Sequence, residues 1–242
     1  MKRVHPWDRL LTSISIRAMP VFSTPLMMFF WSRITVLGDV IVTLPAAAAI
    51  VIWLCSGQAW RVTAWWIGLF GAGMAIVVAT KIAFIGWGLG ISSVDFTGIS
   101  GHAMRASAVL PVLGYLITQN ASSRAQRAGI LAGFAFGVLI TVSRVMVGAH
   151  STSEAVTGEI LGSLVGFAFI AVAGQLVTPA VNRWLVGASA ACLVWMSSGE
   201  PAPTQELLTE FALVLSGHEY PYTRADWAPL KRAENQFLNQ FN

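Results

Sequence analysis

Charge is what this sequence lacks first. Only 11% of its 242 residues are Asp, Glu, Lys or Arg, while 55% are hydrophobic; a soluble domain carries about 25% charged residues. That deficit excludes an ordinary soluble globular chain and points to a membrane protein. Cysteine is scarce as well. Cys55 and Cys192 both lie in apolar runs, and two such residues build neither a metal-ligand spacing nor a disulfide framework. Basic clusters are missing. The net charge is +4, but the Lys and Arg residues are scattered and no aromatic-basic ladder accompanies them. This argues against a nucleic-acid partner and for orientation signals and anionic headgroups. The stretch 1–17 lacks the apolar core of a cleavable leader and is read as retained. No internal repeat is apparent.

What the chain has in plenty is long apolar segments. A spanning helix needs about 20 mostly apolar residues, and six runs qualify as candidates, at about 34–55, 62–81, 101–118, 128–141 (extending toward 147), 152–173 and 181–196. The last is the shortest. Short connections make sequence neighbours antiparallel. The expected fold is therefore all-α, a polytopic helix bundle with about six transmembrane helices. Its organisation is an N-terminal interfacial or re-entrant segment (1–33), the bundle (34–198) and a polar C-terminal tail (199–242). The tail reads as solvated, with Leu207, Leu208, Phe211 and Leu215 available to one face of a short amphipathic helix. Trp53, Trp60, Trp65 and Trp66 gather around the first hairpin, as interface anchors do. Gly129, Gly133 and Gly137 recur every four residues in the fourth run, and Gly158, Gly162 and Gly166 in the fifth. Such ladders allow close backbone approach, so the fourth and fifth helices are expected to pack tightly and hold the loop between them.

Alternating the segments puts the loops 82–100 and 142–151 on one side. The other side carries Arg61, Arg124, Arg127 and Arg183 in short loops, which the positive-inside rule assigns to the cytoplasm. The polar loops then face outward. Residues 1–33 carry Lys2, Arg3, Arg9, Arg17 and Arg33; whether 18–32 cross the membrane decides which side those charges occupy, and the run is short, with two prolines.

Ionisable residues at helix mouths in a membrane are expensive and are functional hypotheses by default. On the outward side they converge. Lys81 ends the second run. Ser100-Gly101-His102 opens the third, with Arg105 one turn on. Ser143-Arg144 close the fourth, and His150 and Glu154 open the fifth. Cations and helix N-termini suit a phosphate ester. A histidine can attack it, an acid four residues on can orient that histidine, and a second histidine can protonate the leaving oxygen.

The stretch Ser143-Arg144, five residues, His150, three residues, Glu154 resembles the third signature of the type-2 phosphatidic acid phosphatase family, which normally ends in Asp. Ile99-Ser100-Gly101-His102 resembles the second signature, normally Pro-Ser-Gly-His, and Lys81 the opening of the first, normally Lys, six residues, Arg-Pro. The resemblance covers roughly 34–176. It implies His150 as nucleophile, His102 as general acid and Glu154 as the group orienting His150. Lys81, Ser100, Gly101, Ser143 and Arg144 would bind phosphate. It implies no metal and no other cofactor. The substrate would be a lipid phosphate or diphosphate; undecaprenyl diphosphate, phosphatidylglycerol phosphate and phosphatidic acid are candidates. The expected setting is a bacterial inner membrane with the site on the extracytoplasmic face. No oligomeric state is implied.

Three departures stand out. Gly88-Leu89 replaces Arg-Pro, which removes one phosphate-binding cation; Arg105 is a candidate replacement. Ile99 replaces Pro, and Glu154 replaces Asp. Competing readings remain. Ser151-x-x-Glu154 also fits a helix capping box, Lys81 could snorkel to headgroups, and Asp95 could assist His102. Ser216-Gly217-His218 repeats the short motif in the tail without partner cations. Other functions for the whole chain are a lipid phosphotransferase, a non-catalytic transporter or lipid binder on a degenerate copy of the fold, and a metal site of His102, His150 and Glu154.

Overall fold

The computed structural model describes residues 25–176, 181–196 and 204–227. Eight α-helices appear among them: α1 (Pro25–Val36), α2 (Val40–Ser56), α3 (Trp60–Trp87), α4 (Gly101–Thr118), α5 (Ser123–Met146), α6 (Thr152–Ala173), α7 (Arg183–Met196) and α8 (Thr204–Ser216). No strand occurs among the described residues; one isolated bridge joins Ile91 and Phe96 in the loop after α3. The chain is an all-α bundle of membrane type. Four helical stretches are long and apolar enough to cross a membrane: 25–56 (α1 and α2 together), α3, α5 and α6.

Local chemistry sets the helix ends. Asp39 caps α2, its carboxylate accepting from Ile41 N–H at 3.1 Å, and Ser122 caps α5 through Ala125 N–H. Gly88, at φ 67°, closes α3 in the left-handed conformation that glycine adopts without a Cβ penalty. α6 opens on a complete Ser151/Glu154 capping box.

α4 is the axis of the bundle. Met104, Ala108, Val109, Val112 and Leu116 are fully or almost fully buried, and they share a core with Ile50 and Leu54 of α2, Trp66 of α3 and Phe169 of α6. α5 and α6 pack chiefly on α4 and far less on each other. The glycine ladders show why. A Cβ at Gly133 would meet Pro111, one at Gly137 Ser107, one at Gly158 the Ser100 carbonyl and one at Gly162 Met104. The ladders of the fourth and fifth runs thus grip the third run, not each other. The 147–151 loop is held all the same, because both helices it joins are locked to α4.

Two tryptophans expected at the interface are core residues instead. Trp66 donates to the Ala47 carbonyl at 3.1 Å and Trp53 to Ser189 Oγ at 3.2 Å, so their N–H groups are satisfied in protein. Trp60 and Trp65 do face outward. Of the N-terminal segment, residues 1–24 lie outside the described residues, and the remainder is helical from Pro25. The sixth run forms α7, whose 14 residues are short for an unaided crossing.

The tail differs from its polar, solvated reading. α8 lies along the last turns of α3. Ala212 and Trp227 join Ile82, Phe84 and Ile85 in a second core, and Phe84 and Trp227 meet edge-on with ring centroids 5.1 Å apart. His218 Nδ1 lies 2.6 Å from the Gly86 carbonyl, and Tyr222 N–H donates to the Ile85 carbonyl at 2.9 Å. The second Ser-Gly-His is therefore a docking element. Polar composition misled because few apolar side chains suffice to seat a short segment on an existing helix.

Candidate active site

The helix mouths at the C-terminal ends of α3 and α5 and the N-terminal ends of α4 and α6 open onto one cavity of about 740 Å³. Lys81, Gly101, His102, Arg105, Arg144, His150 and Glu154 all line it.

His150 precedes α6 by two residues, and the capping box fixes the first turn of that helix beside it. Glu154 is fully buried. Its Oε2 lies 2.9 Å from His150 Nδ1 and accepts from Ser151 N–H at 3.2 Å, while Ser151 Oγ accepts from Glu154 N–H at 3.3 Å. Its Oε1 accepts from Thr97 N–H at 2.7 Å and from the Thr97 hydroxyl. Capping and orienting the histidine are thus one arrangement, since the same carboxylate does both. Burial dominates the His150 environment and pushes its pKa below the ordinary 6.5; the hydrogen bond to Glu154 opposes this, and nearby Lys81 and Arg144 add to the lowering.

His102 sits in the first turn of α4. Its acid is Asp39, the cap of α2, with Nε2 and Oδ2 3.3 Å apart. Each histidine thus has its own carboxylate.

The cations are placed differently from one another. Lys81 Nζ is 3.4 Å from Gln205 Oε1 of α8. Arg144 donates from Nη1 to Thr35 Oγ1 at 2.9 Å, and its Nε is buried without a hydrogen-bond partner. Arg105 is tied to the start of α2, from Nε to Thr43 Oγ1 at 2.9 Å and from Nη2 to the Gly38 carbonyl at 3.3 Å. Ser100 and Ser143 are fully buried and do not line the cavity. The Ser143 hydroxyl donates to the Ile140 carbonyl of its own helix at 2.6 Å, whereas Ser100 Oγ has no partner. Glu159, unassigned from sequence, is an interhelical anchor. It accepts from Ser107 and Thr141 hydroxyls at 2.5 Å each and from Ser163 at 3.1 Å, which joins α4, α5 and α6.

Sequence reasoning missed four members of this site. Asp39 faces His102. Thr97 holds Glu154. Gln205 and Arg224 come from the tail, and Arg224 Nη2 donates to Glu154 Oε2 at 2.7 Å. No local spacing signals Arg224. Asp39 could have been found as an N-cap acid at the mouth of a helix on the site's side.

Comparisons with known proteins bear on the family and the fold. Residues 80–177 match the family model of the PAP2 superfamily. An uncharacterized 22.5 kDa protein in the cps region of Klebsiella pneumoniae is 37% identical over 202 residues, which is 81% of this chain and 96% of that protein. The crystal structure of a transmembrane PAP2 type phosphatidylglycerolphosphate phosphatase from Bacillus subtilis is similar with a TM-score of 0.51 at 21% identity, over 72% of this chain and 89% of that chain. The fold resembles that transmembrane PAP2 fold. The chain belongs to the PAP2 superfamily, which supports a phosphatase activity in general.

Proposed function

We propose that this protein is a metal-independent lipid phosphate or diphosphate phosphatase that works through phospho-His150. The observation that carries the reading is the His150–Glu154 pair, 2.9 Å apart, in a cavity also lined by three cations and by His102, which Asp39 engages from outside the lining.

The chemistry follows from which nitrogen each acid holds. Glu154 engages Nδ1 of His150, which leaves the Nε2 lone pair to attack phosphorus. Lys81, Arg105 and Arg144 neutralise the phosphoryl oxygens, and the backbone N–H groups at Gly101 and the start of α6 receive them. As the N–P bond forms, the P–O bond to the lipid breaks. His102 enters as the imidazolium, held through Nε2–H by Asp39, and gives its Nδ1 proton to the leaving oxygen. Water then attacks the phosphohistidine, His102 takes its proton, and inorganic phosphate leaves with His150 restored. The headgroup enters sideways from the bilayer at the extracytoplasmic face of an inner membrane. Undecaprenyl diphosphate, phosphatidylglycerol phosphate and phosphatidic acid all present the required group. A lipid hydroxyl in place of water would make the same site a phosphotransferase.

A panel of lipid phosphates offered to the detergent-purified protein tests this, with and without chelator and vanadate, beside His150→Ala. The expected result is chelator-insensitive, vanadate-sensitive release that disappears in the variant. Absence of release from every lipid would favour a binding or transport role. Loss of release with chelator alone would favour a metal site; among the described residues no three His, Cys, Asp or Glu side chains converge to hold one.

A further inference from the structure

The tail reaches the site through two residues. Gln205 meets Lys81 and Arg224 meets Glu154, and Thr204, Leu208, Tyr222 and Thr223 also line the cavity. This is a seated wall, because the second core, the His218–Gly86 contact and the Tyr222–Ile85 hydrogen bond fix it to α3. Arg224 itself is different from these anchors. Its side chain is 41% exposed, it lines the cavity, and among the described residues its one hydrogen bond runs from Nη2. A guanidinium has five N–H donors in a rigid fork suited to phosphate oxygens, so most of Arg224's donors remain for a ligand. Arg105, by contrast, has two nitrogens committed to α2.

We propose that Arg224 is a phosphate-binding residue and that residues 204–227 form a wall of the substrate site, so that the C-terminal segment supplies a cation which the end of α3 does not. The backbone explains the exchange. Gly88 stands where an arginine would complete the Lys81 motif. Its φ is 67°, and a Cβ there would lie 2.9 Å from the Tyr222 ring. A side chain at 88 would have to displace the Tyr222 ring from its seat, and two residues beyond Tyr222 the tail delivers Arg224. Glu154 holds the guanidinium in place by one nitrogen while the others face the cavity's ligand.

This assignment rests on the phosphatase reading, and binding of inorganic phosphate separates the two. Titration calorimetry on the full-length protein in detergent would compare parent, Arg224→Gln, Arg224→Lys and His150→Ala, beside KM and kcat for a lipid phosphate. Losing one charge-assisted contact predicts phosphate affinity on the order of tenfold weaker in Arg224→Gln, with KM raised to match. Arg224→Lys keeps the charge and loses the fork, so it should lie between. His150→Ala should still bind phosphate while releasing none. Unchanged phosphate affinity in Arg224→Gln overturns the proposal, whether kcat falls, as for a strut that only positions Glu154, or rises, as for an inhibitory latch. Should Arg224→Gln not fold, Arg224→Lys decides in the same way. Arg224-dependent phosphate binding without lipid hydrolysis by the parent would leave the proposal standing and remove the phosphatase reading.

Discussion

The two oxygens of Glu154 are divided among neighbours of different kinds. Oε2 serves His150, Ser151 and Arg224, and Oε1 serves Thr97. Glu154→Gln separates these jobs. A glutamine still completes a capping box, so α6 should keep its start. It cannot offer an anionic acceptor to His150 or Arg224, so kcat should fall by about 10²–10⁴-fold, the range of a lost acid–base contribution. Single-turnover phosphate release beside a melting curve checks this: a large loss of stability with unchanged kcat would mean that the carboxylate only caps. Glu154→Asp draws the carboxylate back by about 1.5 Å, too short to hold Thr97 and His150 together, and should lower kcat while retaining the charge. His150 gives a pH prediction. Burial disfavours its imidazolium, so the neutral nucleophile persists below pH 6.5. The acidic limb of kcat/KM that belongs to His150 should therefore be centred below 6.5. Removing the Glu154 charge takes away a stabiliser of the imidazolium, so Glu154→Gln should move that limb further down. At this scale much was legible. Lys81, His102, Arg144, His150 and Glu154 stand at motif spacings, and all line the cavity. Arg224 was not, since it meets Glu154 across 70 residues of sequence and lies outside any motif.

Between elements, the position of each catalytic group depends on how closely α5 and α6 can approach α4. Gly158 is the close approach of α6 nearest to Glu154. A Cβ there would lie 2.5 Å from the Ser100 carbonyl oxygen, and Ser100 N–H in turn donates to the Glu154 carbonyl at 3.0 Å. The obstruction is backbone, so it cannot rotate away. Gly158→Ala should cost about 1–3 kcal/mol, as overpacking does, and should also shift α6 relative to His102. Thermal unfolding in detergent and kcat/KM should fall together; an unaltered melting temperature would show that the helices have room to slide. Glu159 fastens the same three helices from within, one carboxylate receiving hydroxyls from α4, α5 and α6. The ladders were legible as small faces, but not the identity of the helix they meet. A four-residue repeat says that a face is smooth; only three-dimensional packing says that both faces meet α4. The tail was misread for a related reason. Its affinity for α3 resides in Ala212, Trp227, His218 and Tyr222, a set with no periodic pattern.

The whole molecule presents polar helix mouths at one end and arginine-bearing short turns at the other. Its outer faces carry Ile67, Ile76, Leu131, Phe136, Leu164 and Phe167 exposed, as lipid contact requires. α8 adds Leu207, Phe211, Val214 and Leu215 to the exposed apolar surface. The charge asymmetry of the loops predicts the orientation, since Arg61, Arg124 and Arg127 flank the short turns opposite the site. Residues 93 and 121 report on the two ends. Ser93 is exposed in the loop that carries Thr97, and Ala121 is exposed in the turn before α5. In a background with Cys55 and Cys192 replaced by alanine, Ser93→Cys should react with a membrane-impermeant maleimide on intact cells. Ala121→Cys should react only after the membrane is permeabilised. The reverse pattern would place the site in the cytoplasm and require lipid phosphates made and consumed on that leaflet. Labelling of both positions on intact cells would show that α4, the helix between them, does not separate the two ends across the bilayer. Such a result would bear first on α4, whose buried Arg105 and polar first turn keep it within the protein and away from lipid.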